Sequence, residues 1–487
     1  MNFNLVEMYN GLLRFNKHIL NELAEGLKHL PNLDGVSKGD SLIINEQGNP
    51  AWGSAAFIPT FENAAYGIEW TKDDNDIVRI GNAKFHRELP IQNRLKGCVY
   101  NEKKISYFLN PTGWAKPLEN GLIPPLDGSD GDVGVRVPEF YICVKDTGTK
   151  YQLWISDFNI DGTFTRVHPF IISHTKTMTR MNGSTEEVFS ACIKEDNAEY
   201  LGGNKSSSIA ADKLQGRPRT GISYTTAIQL CANRGDWITM IDYLEYCAIQ
   251  ALCYIEYANF DNQAALNINL TSEGFKQGGL GAGVTNLEWD RWTTFNDNNP
   301  IIYTYWSSEH NVGNGSTITK EFAIAGYNTD GSNFVTYPAI YRGILNFFGD
   351  IWSFVRDVVI VNRNANYNSV YLLKKGVNHS DITIDNIQDK CYFIGDQANT
   401  NNFITEFDFR FGPYFIPNKV GTNKKADYNW IRGNNGQDTD KAVCVLLLSG
   451  GAGAGHSSEA GSGGFYSAWV RSGSLADVGF FTTVKLD

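Results

Sequence analysis

Two segments far apart in the chain combine glycines with aromatic residues at short, repeated spacings. The first runs Tyr341-Arg342-Gly343-Ile344-Leu345-Asn346-Phe347-Phe348-Gly349-Asp350-Ile351-Trp352-Ser353-Phe354-Val355-Arg356-Asp357. The second holds Leu446-Leu447-Leu448-Ser449-Gly450-Gly451, Ala460-Gly461-Ser462-Gly463-Gly464-Phe465-Tyr466 and Ser474-Leu475-Ala476-Asp477-Val478-Gly479-Phe480-Phe481. Trp352 and Phe354 alternate with Ser353 and Val355, so a strand would carry both aromatics on one face. The glycine pairs let a loop leave one strand and enter the next without Cβ clashes. Such a chain folds as loop-rich β structure rather than as a helix bundle. Its 13% aromatic content, 48 glycines and only 15 prolines agree. At 42% hydrophobic and 20% charged residues it can build packed cores.

The 487 residues suggest about three units. A net charge of −11 without a basic block argues against wrapping nucleic acid. There is no run of about 18 apolar residues for a membrane span, and the start Met1-Asn2-Phe3-Asn4 lacks the regions of a secretory signal. The eight cysteines (Cys98, Cys143, Cys192, Cys231, Cys247, Cys253, Cys391, Cys444) form no CxxC. We therefore expect buried free thiols, no zinc site and no cofactor.

Residues 1–56 differ from the rest. Leu5, Met8, Leu12, Phe15, Ile19 and Leu23 recur at spacings of 3 and 4 and continue to Leu27 and Leu30 before Pro31, which predicts one amphipathic helix for self-association or attachment. Leu42-Ile43-Ile44, a Gln47-Gly48-Asn49-Pro50 turn and Trp52 predict a β-hairpin collar. A β-rich linker domain is expected over 57–130, with strands at 76–82 and 105–110. The rest, 131–487, reads as a terminal domain with an insertion at about 269–340, a long stretch poor in strand and helix signals. Residues 133–144 look like one strand entering a core. Asp127 to Asp132 form an acidic glycine loop that misses the calcium-loop register, with Glu139 at the thirteenth position, so a solvated turn is expected. Ser223 predicts one helix cap, and Thr239-Met240-Ile241-Asp242 a capping-box start for a second, amphipathic helix carrying Glu245 and Glu256. His168 and His174 have no Gly-x-Ser-x-Gly elbow, and His168 reads as a packed strand-end residue. The tripeptides of calcium-type sugar binding are absent.

The two aromatic-glycine segments resemble the C-type lectin fold, in the branch that holds the formylglycine-generating enzymes and the variable proteins of diversity-generating retroelements. Tyr341-Arg342-Gly343, Gly349, Trp352, Asp357, Gly450-Gly451, Phe465-Tyr466 and Gly479-Phe480 match that pattern. Leu345, Phe354, Phe481 and the Gly453-Ala454 region depart from it. Upstream, Gly35-Val36-Ser37-Lys38-Gly39-Asp40 resembles a repeat-like segment near the start of many phage fibre and tail-fibre proteins, and Tyr66-Gly67-Ile68-Glu69-Trp70 onward resembles fibre proteins of phages infecting gut Bacteroidales, including crAss-like phages.

These resemblances imply an α+β chain: an N-terminal helix and hairpin, a β-rich linker domain and a C-type-lectin-like C-terminal domain. They imply a virion head-fibre or tail-fibre protein, not an enzyme, made in the host cytoplasm and forming a homotrimer. Residues 1–56 would contact other virion proteins, and the head would bind host-surface polysaccharide or protein, without nucleic acid, metal or membrane insertion. By position, the ligand face falls on His456, Ser457, Ser458, Glu459, Tyr466, Trp469, Arg471 and Ser474, with Tyr303, Tyr305 and Trp306 as a second surface. The alternatives are a purely structural virion decoration and an oxidase of the formylglycine-generating type. The oxidase would need a thiolate pair for copper, for which only Cys391 and Cys444 stand late in the chain.

Overall fold

The computed structural model describes residues 41–44, 50–53, 59–72, 76–193, 200–201, 216–281, 283, 302–315, 321–324, 330–362, 366–422, 427–431, 444–448, 459–474 and 477–486. The chain divides into two compact units, Met1–Pro59 and Thr60–Asp487. In the first unit, strands Ser41–Ile44 and Pro50–Gly53 pair antiparallel with Leu42 opposite Trp52, as the turn residues predict. The expected helix carrying Leu5, Met8, Leu12, Phe15, Ile19 and Leu23 lies outside the described residues.

The second unit is a β-rich α+β structure. A five-stranded sheet runs in the order Thr165–Val167, Phe140–Asp146, Lys150–Ser156, Ala65–Thr71, Ile77–Gly81. A six-stranded sheet runs Thr239–Met240, Thr482–Lys485, Phe170–Ser173, Asp132–Val137, Lys96–Asn101, Lys104–Phe108. Strands from 57–130 thus pair directly with strands from beyond 131 in both sheets. Residues 133–144 are two strands in different sheets. Pro138 has no N–H for a ladder, and the chain turns there. Asp127 closes its turn by accepting from Ser129 N and Oγ. Asp132 does not stay solvated: it is buried and paired with Arg234 at 2.7 Å. His168 sits between two strands but is exposed rather than packed.

Two short helices, α1 (Phe61–Ala64) and α2 (Ala83–Glu88), precede two longer ones, α3 (Tyr224–Arg234) and α4 (Tyr243–Tyr257). Ser223 caps α3 as expected, its hydroxyl accepting from Thr226 N. The second start is three residues later than its sequence signal. Thr239–Met240 joins the six-stranded sheet, and Asp242 is the cap, in a reciprocal box with Glu245. Helix α4 is also not amphipathic in its setting, because every residue but Leu244 is buried. Side chains from all the larger sheets pack around it, so its polar groups must find partners inside.

Glu256 shows how. Its carboxylate receives Arg342 Nη2 at 2.6 Å and Nε at 3.0 Å, Lys276 Nζ at 2.6 Å and the Tyr341 hydroxyl at 3.1 Å. Burial alone would raise its pKa, but Arg342 and Lys276 outweigh burial and hold it below the usual range. The Tyr341-Arg342-Gly343 motif is therefore a clamp on α4. Arg342 adopts φ 51° and Gly343 φ 90°, and a Cβ on Gly343 would meet Trp114 at 2.4 Å.

A nine-stranded sheet completes the unit. Its order is Cys391–Ala398, Tyr367–Leu373, Trp352–Asn362, Cys444–Leu448, Phe465–Trp469, Tyr428–Trp430, Asn402–Asp408, Ile416–Gly421, with Val478–Phe480 parallel to the start of the Trp352 strand. Ser353 lies opposite Leu448, and Phe354 is flanked by Leu447 and Phe480. The two aromatic-glycine segments thus fold side by side, as expected. All eight cysteines are buried and none is in a disulfide. No helix among the described residues is long and apolar enough to cross a membrane.

Two expectations follow for stability. Arg342→Ala leaves the Glu256 carboxylate buried with fewer partners, and should lower urea stability by about 3–5 kcal/mol. Burial pushes His86, His174 and His379 down to about 4 from the ordinary 6.5. They stay neutral when folded and charge when unfolded, so their stabilisation is full above pH 6.5 and is lost as pH falls towards 4. Each contributes a slope of about 1.4 kcal/mol per pH unit. The urea midpoint of His174→Gln should accordingly vary less than the parent's between these pH values; an unchanged slope would show that His174 titrates normally.

Candidate functional site

The nine-stranded sheet has two faces of different character. Leu446, Leu448, Phe465 and Ile404 point inward to the core around α4. Trp352, Phe354, Val445 and Leu447 point outward and are covered by α3 through Tyr224, Ala227 and Cys231. Beyond that cover the same outward face continues as half-buried aromatics. Tyr466 lies opposite Leu447 and Trp430, and Phe403 lies opposite Tyr428. Ring centroids are 5.4 Å apart for Trp352 and Tyr466, 4.6 Å for Tyr428 and Trp430, and 5.2 Å for Phe403 and Tyr428. The result is a row of π faces on adjacent strands.

The row is held from behind. Asn429, between Tyr428 and Trp430, turns inward and donates to Ala398 O and Thr400 O, both at 2.9 Å. Gln397 Nε2 donates to Asn429 Oδ1 at 2.6 Å. Asn418 Nδ2 donates to Asp396 O at 3.2 Å, which ties the two outermost strands of the curled sheet together. Burial, with Glu459 nearby, raises the Tyr428 phenol and keeps it a neutral hydroxyl.

The structure distributes the expected ligand residues over two places. Tyr466 belongs to the aromatic row, and the Glu459 carbonyl accepts from Tyr428 N at 3.4 Å. Arg471 and Ser474 lie by the start of α3 instead. Ser474 bridges Ser223, and the Arg471 carbonyl accepts from Thr225 Oγ1 at 3.4 Å. Trp469 is placed by its backbone opposite Val445. His456, Ser457 and Ser458 lie outside the described residues. Phe403, Tyr428 and Trp430 escaped the sequence reading, although the alternation Tyr428-Asn429-Trp430 is a short strand signal. In the insertion, Trp306 is packed with Ile302, Val312, Ile340 and Leu345, which is a core role. Tyr303 and Tyr305 stack at 6.5 Å and stay half-buried.

Two buried clusters have reactive residue types. Cys192 Sγ is 3.5 Å from His174 Nε2 and 3.3 Å from Ser307 Oγ, and His174 Nδ1 is 3.3 Å from Ser190 Oγ. Burial pushes the thiol up to about 12 and the imidazole down to about 4. Both are neutral at pH 7, so this is no thiolate–imidazolium pair. Lys176 donates to Asn346 O at 2.7 Å and Gly349 O at 3.3 Å, pinning the loop of left-handed residues before Trp352. Cys391 and Cys444 stand three strand spacings apart, roughly 14 Å, too far to share one metal ion. Among the described residues no group of three His, Cys, Asp or Glu side chains is arranged to hold a metal.

No family model matches this sequence, and no curated protein matches it. Among solved structures, the chain is similar to the Major Tropism Determinant U1 variant at 9% identity, with 72% of each chain covered and a TM-score of 0.20. It is similar to the M1 variant at 11% identity and the I1 variant at 10%, each over 81% of this chain and 84% of that chain with a TM-score of 0.21. A backbone agreement this low carries no inference about fold or function.

Proposed function

We propose that the chain is a bacteriophage virion fibre protein that anchors through residues 1–56 and presents a C-type-lectin-like head to the host surface. The observation that carries this reading is the aromatic row Phe403, Tyr428, Trp430 and Tyr466 on the outward face of a rigid sheet. Rigid aromatic side chains offer large contact area at low entropy cost and stack on the apolar faces of sugars. The resemblance of the 341–357 and 446–481 segments to lectin-type proteins supports it, since the two lie next to each other in one sheet. The chain acts as a binder with no reaction, as a homotrimer, and its ligand is a polysaccharide or protein of the host envelope.

A structural role in the virion is the second reading. It is favoured by exposed apolar side chains away from the row, including Ile123 at 62% and Ile268 at 82% exposure, which suit packing against another protein.

Retention of the purified chain on Bacteroidales cells tests the first reading. Tyr428→Ala should weaken it about five-fold or more, while Tyr428→Phe, which keeps the ring, should not. Equal behaviour of the two variants counts against stacking, and no retention of the parent chain favours the structural role. A fragment spanning 60–487 should bind the same cells far more weakly than the full chain, by about a hundred-fold, because multivalence is lost.

A further inference from the structure

A cleft of about 710 Å³ opens between α3, the 374–380 loop and the residues after the Phe465 strand, apart from the aromatic row. That volume suits a small polar ligand. Its floor is formed by Tyr224 and His379, whose rings lie 5.0 Å apart, both nearly fully buried. Five cations line it, Arg356, Lys374, Lys375, Arg471 and Lys485, against the carboxylates of Asp236, Asp242 and Asp357. This is a local inversion of sign in a chain of net charge −11.

The charges are not evenly spread. Asp242 accepts from Lys485 Nζ at 2.7 Å and faces Arg356 Nη2 at 3.6 Å, while Asp357 accepts from Tyr243 N at 2.9 Å. Those cations are answered. Lys374, Lys375 and Arg471 also line the cleft, and among the described residues none of the three forms an ion pair with a carboxylate. Arg471 uses Nη1 on His379 O at 2.6 Å and Lys374 holds Asp389 O at 2.7 Å, so neutral carbonyls fix both without cancelling their charge. Lys375 is exposed at the rim. Deeper, Arg356 Nε is enclosed and has no acceptor. Cations positioned by carbonyls, beside a donor without an acceptor, are arranged to take an oxyanion.

We propose that this cleft binds the anionic group, carboxylate or phosphate, of a charged sugar, with Arg471, Lys375 and Lys374 as its cationic contacts. The biological source of such a sugar, the host envelope, rests on the receptor-binding reading above; the site itself does not.

Calorimetric titration of the full chain with glucuronate, glucose 1-phosphate and glucose tests it. At least one anion should bind while glucose does not, and which anion binds identifies a carboxylated or a phosphorylated source. Lys375→Glu, at an exposed position that folding tolerates, should weaken that binding about ten-fold, and raising the salt concentration should weaken it as well. Arg471→Gln should act in the same direction. Binding of glucose equal to that of the anions, no binding of either anion, or affinity unchanged in both variants overturns the proposal. Cells retained by a chain that binds neither anion would sink this site alone; anion binding without cell retention would sink only the receptor reading.

Discussion

The buried ion pair between Glu256 and Arg342 is the contact on which the rest of the large unit depends. Glu256 lies near the end of α4, a helix enclosed on all sides, where a lone carboxylate could not remain ionised. Arg342 reaches it because Arg342 and Gly343 adopt left-handed backbone angles, which aim the guanidinium back at the helix. The same turn sends the chain through the pinned 346–350 loop into Trp352, the start of the strand at the centre of the nine-stranded sheet. One charge pair thus joins the central helix to the sheet that carries the outward aromatic face.

The outward face is the product of two opposed demands. Strands packed on α4 must be apolar on their inner side, and alternation then puts the intervening residues outside. Where α3 covers them they are ordinary core, as at Phe354, Val445 and Leu447. Where that cover ends, the same pattern leaves Tyr466, Trp430, Tyr428 and Phe403 half-buried. Large rings on a stiff sheet, braced by the inward amides of Asn429 and Gln397, keep their positions without a ligand. The buried Cys192–His174 cluster lies elsewhere, in dry surroundings that hold the thiol protonated and the imidazole neutral.

Parts of this arrangement were legible in the residues alone. The alternation at 352–355 and the glycine-bounded terminal segments announced strands, and Ser223 and the hairpin turn announced their ends correctly. Misreadings came where local signals competed. Thr239 to Asp242 offers two caps, and strand pairing with Thr482 and Thr483 claimed the first, leaving Asp242 to start the helix. The 133–144 run reads as one strand because it alternates at first and then runs apolar, yet Pro138 divides it between sheets. The linker expected at 57–130 has strand signals of its own, but composition does not say which strands will be their neighbours.

Sequence by itself determined the alternation at 352–355, the Ser223 cap and the pairing of residues within the hairpin, because each depends on neighbours within a few positions. Tertiary structure alone decided which side of α4 could stay polar, which aromatics remained partly open and which cations gathered around one cleft. Those properties arise from residues up to hundreds of positions apart, such as Arg342 with Asn93 or Lys485 with Asp242. Their proximity is fixed only when sheets close around a shared core and burial forces enclosed charges such as Glu256 to find partners.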